Sequence, residues 1–207
     1  MLRIGVMVSG GGTNLQAILD NINSGNLPGC EIVTVVSSKL GVYALERARE
    51  NKIPSAVISK KDYDSLQAYD EALLAHMKSY DVELVVLAGY LSLLGERFVN
   101  NYKNAIINIH PSLIPSFCGK GYYGIIPHEK AIEYGVKVTG ATVHFVDTEY
   151  DSGPIILQRA VEVLPEDTSE ILQKRVMEQA EWIILPEAIK LYSQGRIKVN
   201  GRHVEIL

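Results

Sequence analysis

The stretch LRIGVMVSGGGTN, residues 2–14, decides how the chain folds. Residues 2–8 have the apolar pattern of a buried strand, and Ser9–Asn14 supplies a glycine-rich turn. A strand, a glycine-rich turn and a helix open a nucleotide-type βα unit, whose backbone N–H groups at the helix start bind phosphate. The stretch therefore predicts an α/β fold with a phosphate site at the turn. Apolar residues at helical spacing follow it, namely Leu15, Ile18, Leu19 and Ile22.

The details of this turn limit which phosphate compound it binds. A dinucleotide fingerprint that starts with Gly10 and Gly12 needs a third glycine, where the chain has Leu15. The second predicted strand ends in Ser37-Ser38 without an acidic residue for a ribose diol, and no Lys-Ser or Lys-Thr pair follows the turn to complete a Walker loop. NAD and ATP are therefore disfavoured, which leaves a single phosphate on a small substrate. The alternative is a tight turn without a ligand.

The remaining chain alternates between strand and helix patterns. Strands are predicted at 31–36, 54–58, 83–88, 105–109, 137–146 and 155–163, and helices at 42–51, 65–80 and 126–134. This order predicts a Rossmann-like α/β fold, a mostly parallel twisted sheet with helices on both faces. We expect residues 1–207 to form a single domain, with an N-terminal lobe of about residues 1–100 and a C-terminal lobe of about residues 101–207.

The C-terminal part contains the patterns of a long helix and a hairpin. Asp167 is predicted to cap the helix, with Glu170 three residues on as in a capping box, and Pro186 is predicted to kink it. Asn200-Gly201, within the alternating residues 196–206, indicates a β-hairpin. The predicted inner face of the helix comprises Leu172, Val176, Ala180, Ile183 and Leu191.

Composition argues against several classes of protein. The chain has 207 residues, of which 47% are apolar, and its net charge of −4 gives no basic field for nucleic acid. The longest apolar stretch, 84–94, is too short to cross a membrane, and the N-terminus lacks a signal-peptide pattern. Cys30 and Cys118 are isolated, which fits neither a disulfide framework nor a zinc site. We therefore expect a cytoplasmic protein with no metal and no nucleic-acid or membrane partner.

A second motif lies where the strand predicted at 105–109 ends. Asn108 and His110 are two residues apart, so their side chains point to the same face of a strand. An amide that donates to an oxyanion and an imidazole that moves a proton suit group transfer at a carbonyl, although polar strand-end caps are the alternative. Leu91–Leu94 follows the end of another strand and forms either an apolar wall for a flat heterocycle or ordinary core.

Three motifs together resemble one family. They are Asn108-Ile109-His110-Pro111-Ser112-Leu113-Ile114-Pro115, Asp151-Ser152-Gly153-Pro154 and the turn at residues 9–14. In this order they resemble the folate-dependent formyltransferases, and within them the branch that acts on phosphoribosylglycinamide. The resemblance covers essentially the whole chain. It implies transfer of the formyl group of 10-formyltetrahydrofolate to the amine of N1-(5-phospho-D-ribosyl)glycinamide, giving the N-formyl product and tetrahydrofolate in de novo purine (IMP) biosynthesis.

The resemblance also implies roles for individual residues. Asn108, His110 and Asp151 are expected to be catalytic: Asn108 and protonated His110 would stabilise the tetrahedral oxyanion, and Asp151 would favour the charged imidazole. His144 would support this site from the preceding strand, or is structural. The residues expected to bind the ribonucleotide are Gly11, Gly12, Thr13, Asn14, Glu178 and Glu181. The residues expected to bind the folate are Leu91, Ser92, Leu93, Leu94, Asn108, Asp147, Thr148, Glu149, Tyr150 and Asp151.

The chain departs from the family pattern on the folate side. Leu66 and Ser92 stand where several members carry arginine, and Cys118 replaces a usual proline in the loop 111–124. Formyltetrahydrofolate hydrolysis, methionyl-tRNA formylation and phosphosugar binding without catalysis are the alternative functions. The hydrolase usually adds an N-terminal domain and the tRNA enzyme a C-terminal one, whereas here a strand pattern begins at residue 2 and no basic tail follows. We expect small-molecule substrates, and a monomer or homodimer.

Overall fold

The computed structural model describes all residues from Met1 to Leu207. The strands are β1 (Leu2–Val8), β2 (Cys30–Ser37), β3 (Ser55–Val57), β4 (Leu84–Leu87), β5 (Ile106–His110), β6 (Val138–Phe145), β7 (Ile155–Glu162), β8 (Ile197–Asn200) and β9 (His203–Ile206). The α-helices are α1 (Thr13–Asn23), α2 (Tyr43–Glu50), α3 (Leu66–Ser79), α4 (Glu96–Asn101), α5 (Ile126–Tyr134), α6 (Ser169–Val176) and α7 (Trp182–Ser193). Seven strands form one sheet in the order β3-β2-β1-β4-β5-β6-β7. The pairs from β3 to β5 are parallel and β6–β7 is antiparallel, so the predicted mostly parallel α/β fold is confirmed.

The strands predicted between residues 31 and 163 are all present, with ends within one residue of the predicted ones. The short helix α4 is the α-helix that no local pattern predicted. Its cap comes from a distant helix: the Asp70 carboxylate accepts hydrogen bonds from the N–H groups of Gly95 at 2.8 Å and Phe98 at 3.2 Å. Because this carboxylate satisfies N–H groups that a helix start leaves unpaired, α4 depends on tertiary structure for its cap.

Residues Met1–Asn108 form the first of two compact units. In it, β1 pairs with β2 on one side and with β4 on the other. The chain winds from β1 to β3 in one direction and then returns past β1 to β4, which makes a topological switch point between β1 and β4. Ligands in such sheets bind outside the carboxyl ends of the strands at that point. The glycine turn follows β1 and residues 91–94 follow β4, so both predicted binding segments belong to this end of the sheet.

Residues Ile109–Leu207 form the second unit. Its β6–β7 ladder runs from the pair Val138–Glu162 to the pair His144–Ile155, with a register shift between Val143 and His144. β6 is buried from Thr139 to Phe145, whereas β7 lies at the sheet edge and only its Ile156 and Val161 are buried. The shift leaves Ile156 of β7 as an extra residue opposite the step from Val143 to His144, and His144 itself is buried.

The prediction that Asp167 caps the long C-terminal helix is wrong. Thr168 is the N-cap, and its hydroxyl accepts a hydrogen bond from the Ile171 N–H at 3.3 Å. The Asp167 carboxylate instead accepts from two guanidinium nitrogens of Arg175, each at 2.5 Å, and from the Leu164 N–H at 2.8 Å. A bidentate, charge-assisted pair is stronger than a single cap bond, so the carboxylate takes the arginine and the neighbouring hydroxyl takes the cap.

The long helix is interrupted before the predicted kink at Pro186. A π-helical turn occupies Met177–Glu181, and Pro186 lies inside α7. A π turn holds an extra residue, which rotates the following side chains about the helix axis. The prediction that Ile183 lies on the inner face is therefore wrong, since its side chain is 39% exposed while Ile184 and Leu185 are buried.

The C-terminal hairpin is present, but its turn lies one residue later than predicted. Asn200 pairs with His203 at the end of the two-stranded ladder, so the two central turn residues are Gly201 and Arg202. Gly201 has a φ of 59°, in the left-handed region that glycine adopts most easily. The Asn-Gly signal therefore identified the hairpin but not its register.

Two features of other protein classes are also absent. None of the helices combines the length and the apolar character that crossing a membrane requires. No group of three or more His, Cys, Asp or Glu side chains is arranged to hold a metal ion. The expectations of a cytoplasmic location and of metal-free chemistry stay predictions.

Candidate active site

The glycine turn between β1 and α1 has one position where only glycine fits. Gly12 has a φ of 75°, and a Cβ built on it would lie 2.7 Å from the Cβ and 2.9 Å from the Cα of Ala44. Gly10 and Gly11 have open space around them. Gly12 is also the N-cap of α1, which begins at Thr13, and a helix start leaves its first backbone N–H groups without an intrahelical partner. The turn therefore lies at the positive end of a helix dipole, where backbone N–H groups favour an anion.

The hydroxyl of Ser9 connects this turn to the segment that follows β4. Its Oγ accepts a hydrogen bond from the Leu91 N–H at 2.9 Å and lies 2.6 Å from the Oγ of Ser38. Ser9 and Ser38 are both buried. Ser9 thus links the carboxyl ends of β1 and β4 at the switch point and also contacts Ser38, the residue after β2.

The predicted apolar wall, Leu91–Leu94, is irregular in structure and only partly exposed. Leu91 is 47% exposed and Leu94 is buried, with Ser92 and Leu93 between these extremes. Behind the segment, the hydroxyls of Tyr69 and Tyr90 form a short hydrogen bond. Burial raises the pKa of both phenols, so they stay neutral and offer no charge to a ligand. The exposed leucine gives this end of the sheet an apolar surface.

Asn108 and His110 lie in β5, as the motif predicted. Asn108 is half-buried and pairs in register with Leu87 of β4, and His110 is buried. The strand period of two gives these side chains the same face. An amide and an imidazole thus project from the carboxyl end of β5.

In the second unit, His110 contacts a carboxylate with one ring nitrogen and a backbone carbonyl with the other. Its Nδ1 lies 3.6 Å from Oδ2 of Asp151, and its Nε2 lies 2.9 Å from the carbonyl oxygen of Phe117. A carbonyl can only accept, so Nε2 carries the hydrogen and Nδ1 is the nitrogen that gains or loses a proton. Burial lowers the pKa of His110 below its ordinary value, against the opposing influence of Asp151. The imidazole is therefore neutral at pH 7.

His144 approaches the same carboxylate from β6. Its Nδ1 donates to the carbonyl oxygen of Phe145 at 2.8 Å, and its Nε2 lies 3.7 Å from Oδ1 of Asp151. The structure thus brings His144 together with His110 and Asp151, one histidine on each carboxylate oxygen. Each histidine therefore has one ring nitrogen bonded to a backbone carbonyl and the other facing Asp151.

Asp151 is held by the loop that follows β5 as well as by the histidines. Its Oδ2 accepts a hydrogen bond from the Gly119 N–H at 2.8 Å, and its own φ of 49° is uncommon for a residue other than glycine. Burial alone would raise the pKa of Asp151, but His144, His110 and the Gly119 N–H outweigh it and the pKa lies below its ordinary value. The carboxylate is therefore ionised at neutral pH and faces two imidazoles.

The remaining predicted residues occupy different surroundings. Asp147 organises the loop before Asp151, since its Oδ1 accepts from the Glu149 N–H at 3.0 Å and from the Ser152 hydroxyl at 2.7 Å. Tyr150 is exposed in the same loop, which also contains Thr148. In the π turn, Glu178 is exposed and its Oε1 lies 3.8 Å from the Lys174 Nζ, whereas Glu181 is buried. These two glutamates therefore do not share one environment.

Sequence reasoning missed three residues of these surroundings. Arg47 binds the glycine turn from α2, and the carbonyl of Phe117 fixes the tautomer of His110. His128 of α5 is fully buried, neither of its ring nitrogens has a hydrogen-bond partner, and burial together with nearby His110 lowers its pKa to about 4. The first two contacts join residues through tertiary structure, and a lone histidine on a short helix gives no sequence signal.

Comparison with known proteins was made by sequence and by structure. Residues 2–189 match the profile of the family described as Formyl transferase. Phosphoribosylglycinamide formyltransferase of Haemophilus influenzae is 41% identical over 200 residues, which cover 97% of this chain and 91% of that protein. Trifunctional purine biosynthetic protein adenosine-3 of Chironomus tentans is 43% identical over 201 residues, and there the match spans 97% of this chain but only 14% of the relative's length.

Comparison with solved structures also finds formyl-group enzymes of the same fold. Glycinamide ribonucleotide transformylase 1 from Symbiobacterium toebii superposes with a TM-score of 0.94 and 45% identity, covering 100% of this chain and 94% of that one. A formyltetrahydrofolate deformylase from Pseudomonas syringae pv. tomato superposes with a TM-score of 0.88 at 25% identity, covering 100% of this chain and 66% of that one. The fold is common to both, while sequence similarity is greater to the transformylase.

Proposed function

The chain belongs to the formyl transferase family, and from this premise we propose that it transfers the formyl group of 10-formyltetrahydrofolate to the amine of N1-(5-phospho-D-ribosyl)glycinamide. The observation that carries this proposal is the buried His110–Asp151 contact, 3.6 Å between Nδ1 and Oδ2, which follows Asn108 on the same strand end. This arrangement supplies a hydrogen-bond donor for an oxyanion, the Asn108 amide. It also supplies an imidazole beside a carboxylate, His110, which can exchange protons with the amine.

The chemistry has two steps. The amine nitrogen attacks the formyl carbon, and the carbonyl electrons move to the oxygen, where the Asn108 amide donates to the resulting oxyanion. The attacking nitrogen loses a proton to neutral His110, which gains it at Nδ1 beside the Asp151 carboxylate. The oxyanion then re-forms the carbonyl, the bond to N10 of the folate breaks, and the imidazolium returns a proton to N10. His144 supports the cluster through the other oxygen of Asp151.

The glycine turn is proposed to bind the phosphate of the ribonucleotide. Gly11, Gly12, Thr13 and Asn14 would contribute backbone N–H groups and side chains to the phosphate oxygens, supported by the left-handed conformation of Gly12 and the start of α1. Glu178 and Glu181 are also proposed to bind the ribonucleotide. A glutamate there would accept hydrogen bonds from hydroxyl or amine groups rather than from phosphate.

The folate is proposed to bind against two segments. Leu91, Ser92, Leu93 and Leu94 would contact one side of the pterin, and Asp147, Thr148, Glu149, Tyr150 and Asp151 would contact it with backbone and side-chain polar groups. The exposure of Leu91, at 47%, supports an apolar contact that is available to a ligand. We also propose a single formyltransferase domain, acting in the cytoplasm as a monomer or homodimer on small molecules alone, without a metal.

Formyl transfer with an isotope label tests the proposed function. The protein is incubated with formyl-labelled 10-formyltetrahydrofolate, with and without glycinamide ribonucleotide, and the products are separated. We expect label in the N-formyl ribonucleotide, and consumption of the folate only when the ribonucleotide is present. Label released as free formate regardless of the ribonucleotide would identify a deformylase instead, and unchanged folate in both samples would rule out formyl transfer.

A further inference from the structure

Arg47 of α2 contacts both the glycine turn and the helix that follows it. Its Nε donates to the carbonyl oxygen of Gly11 at 2.9 Å, and its Nη1 donates to Oε1 of Gln16, in the first turns of α1, at 2.7 Å. The guanidinium carbon lies 4.8 Å from the centre of the Tyr43 ring, which packs against it from the same helix. The side chain is therefore fixed by three partners, and its planar fork spans the turn and the helix that follows it.

These contacts complete a set that engages every glycine carbonyl of the turn. The Gly10 carbonyl accepts from the Ala44 N–H at 3.2 Å, and the Gly12 carbonyl accepts from the Gln16 N–H at 2.9 Å. Arg47 supplies the donor for the Gly11 carbonyl between them. Carbonyl oxygens repel an anion, so a turn that binds phosphate has to direct them away from it.

The geometry of the peptide unit shows what the Arg47 bond to Gly11 achieves. A trans peptide is planar, so the carbonyl of Gly11 and the N–H of Gly12 point in opposite directions. When Arg47 holds the carbonyl, it also fixes the direction of the Gly12 N–H. Gly11 is not restricted by neighbours, since a Cβ there would meet nothing within 4 Å, and a glycine in open space can rotate unless something holds it.

We propose that Arg47 is a positioning residue for the phosphate of the ribonucleotide. It sets the orientation of the Gly11–Gly12 peptide and adds a permanent positive charge beside the turn. This role rests on the proposed function, in which the turn binds the ribonucleotide. If Arg47 only linked α2 to α1, it would be a structural residue, and its substitution would not affect one substrate more than the other.

Substitutions of Arg47, with a matched arginine as the control, test this role. Arg47→Gln should raise the KM for glycinamide ribonucleotide about tenfold, as expected for loss of a charge-assisted hydrogen bond, with kcat and the KM for 10-formyltetrahydrofolate little changed. Arg47→Lys restores the charge but not the fork, so its KM should lie between those of the wild type and Arg47→Gln. Arg49→Gln is the control, because Arg49 lies on the same helix, its side chain is 77% exposed and it forms an ion pair with Glu46.

Two outcomes would overturn the role of Arg47. One is an unchanged ribonucleotide KM in a folded Arg47→Gln protein. The other is an equal loss for both substrates together with a lowered Tm, without recovery in Arg47→Lys. Gly12→Ala in the same assay separates this failure from failure of the proposed function. If Gly12→Ala raises the ribonucleotide KM and Arg47→Gln does not, only the role of Arg47 fails, whereas no effect of either variant rejects the phosphate assignment as well.

Discussion

The glycine turn of the first unit and the His110–Asp151–His144 cluster of the second are built in different ways. The turn consists of consecutive residues, its glycine carbonyls accept hydrogen bonds, and it leads directly into the start of a helix. The cluster joins side chains from two strands and a loop, and each histidine is oriented by a backbone carbonyl. The turn is suited to bind a fixed anion, whereas the cluster is suited to exchange protons.

This difference predicts separate kinetic effects. A change in the turn removes contacts that exist both before and during the reaction, so it should alter binding of one substrate. A change in the cluster removes a proton transfer or an oxyanion contact, which exists only during the reaction, so it should alter turnover. The variants below test whether binding and chemistry divide in this way.

The largest effect is expected from His110→Ala. Without the imidazole no positioned group takes the proton from the amine, so kcat should fall by about 10²–10⁴-fold. Both KM values should stay near those of the wild type in steady-state assays. His203→Ala is a control with the same change on the exposed hairpin. Turnover within a few-fold of the wild type would remove His110 from the chemistry.

The second-largest loss of rate is expected from Asn108→Ala. Loss of one oxyanion donor typically costs about 10²–10³-fold in rate, and ground-state binding should be largely kept because the amide acts on a charge that develops later. Asn101→Ala, which removes an amide that donates to the Arg97 carbonyl in α4, is the control. A loss that appears in KM instead of kcat would make Asn108 a binding residue.

Gly12→Ala changes the glycine turn, and its kinetic effect should be smaller than those of His110→Ala and Asn108→Ala. The added Cβ would meet Ala44 at 2.7 Å and the backbone has a φ of 75°, so the turn has to shift. We expect the KM for glycinamide ribonucleotide to rise about tenfold with kcat nearly unchanged, as for loss of contacts made before and during the reaction. Gly25→Ala is the control, because Gly25 has a φ of 79° but open space around it. Equal KM increases for both substrates would argue against a phosphate site in the turn.

The smallest expected effect is a shift in pH dependence for Asp151→Asn. Asp151 raises the pKa of His110 against the larger lowering by burial, so removing its charge should lower this pKa further. Activity is lost as the pH falls through the pKa of the base, so the acidic limb of the pH–rate profile should move to lower pH. NMR titration of the His110 imidazole measures the same shift directly.

The double variant of His110 and Asp151 tests whether the two act as a unit. If Asp151 works through His110, adding Asp151→Asn to His110→Ala should cost little more than His110→Ala alone. Losses that multiply, together with an unmoved His110 titration, would instead make Asp151 an independent proton acceptor.

The sequence predicted most of the sheet because burial patterns are local. β1 and α5 have their predicted ends, since each is defined by its own apolar residues and flanking turn signals. The predictions that were wrong depended on distant partners or on helix phase. Asp167 binds Arg175 eight residues away, and the π turn at Met177–Glu181 changes which side of the helix Ile183 occupies.

In the candidate site, too, features formed by neighbouring residues could be predicted, whereas contacts between distant residues could not. The glycine turn could be predicted as a candidate phosphate site because consecutive residues form it. The Asn-x-His motif could be recognised by its spacing on a strand. The contacts of Arg47 with Gly11 and of Phe117 with His110 could not, because no local rule relates a helix arginine or a loop carbonyl to those partners. Such contacts orient the functional groups, and they follow from tertiary structure alone.

Calorimetric binding of glycinamide ribonucleotide to two variants tests the division between binding and chemistry most directly. The dissociation constant is measured for the wild type, Gly12→Ala and His110→Ala under one set of conditions, without folate. We expect Gly12→Ala to weaken binding about tenfold and His110→Ala to change it by no more than about twofold, because the imidazole acts on groups that change during the reaction. Weaker binding in His110→Ala than in Gly12→Ala, or an equal loss of affinity in both, would contradict the division between binding and chemistry.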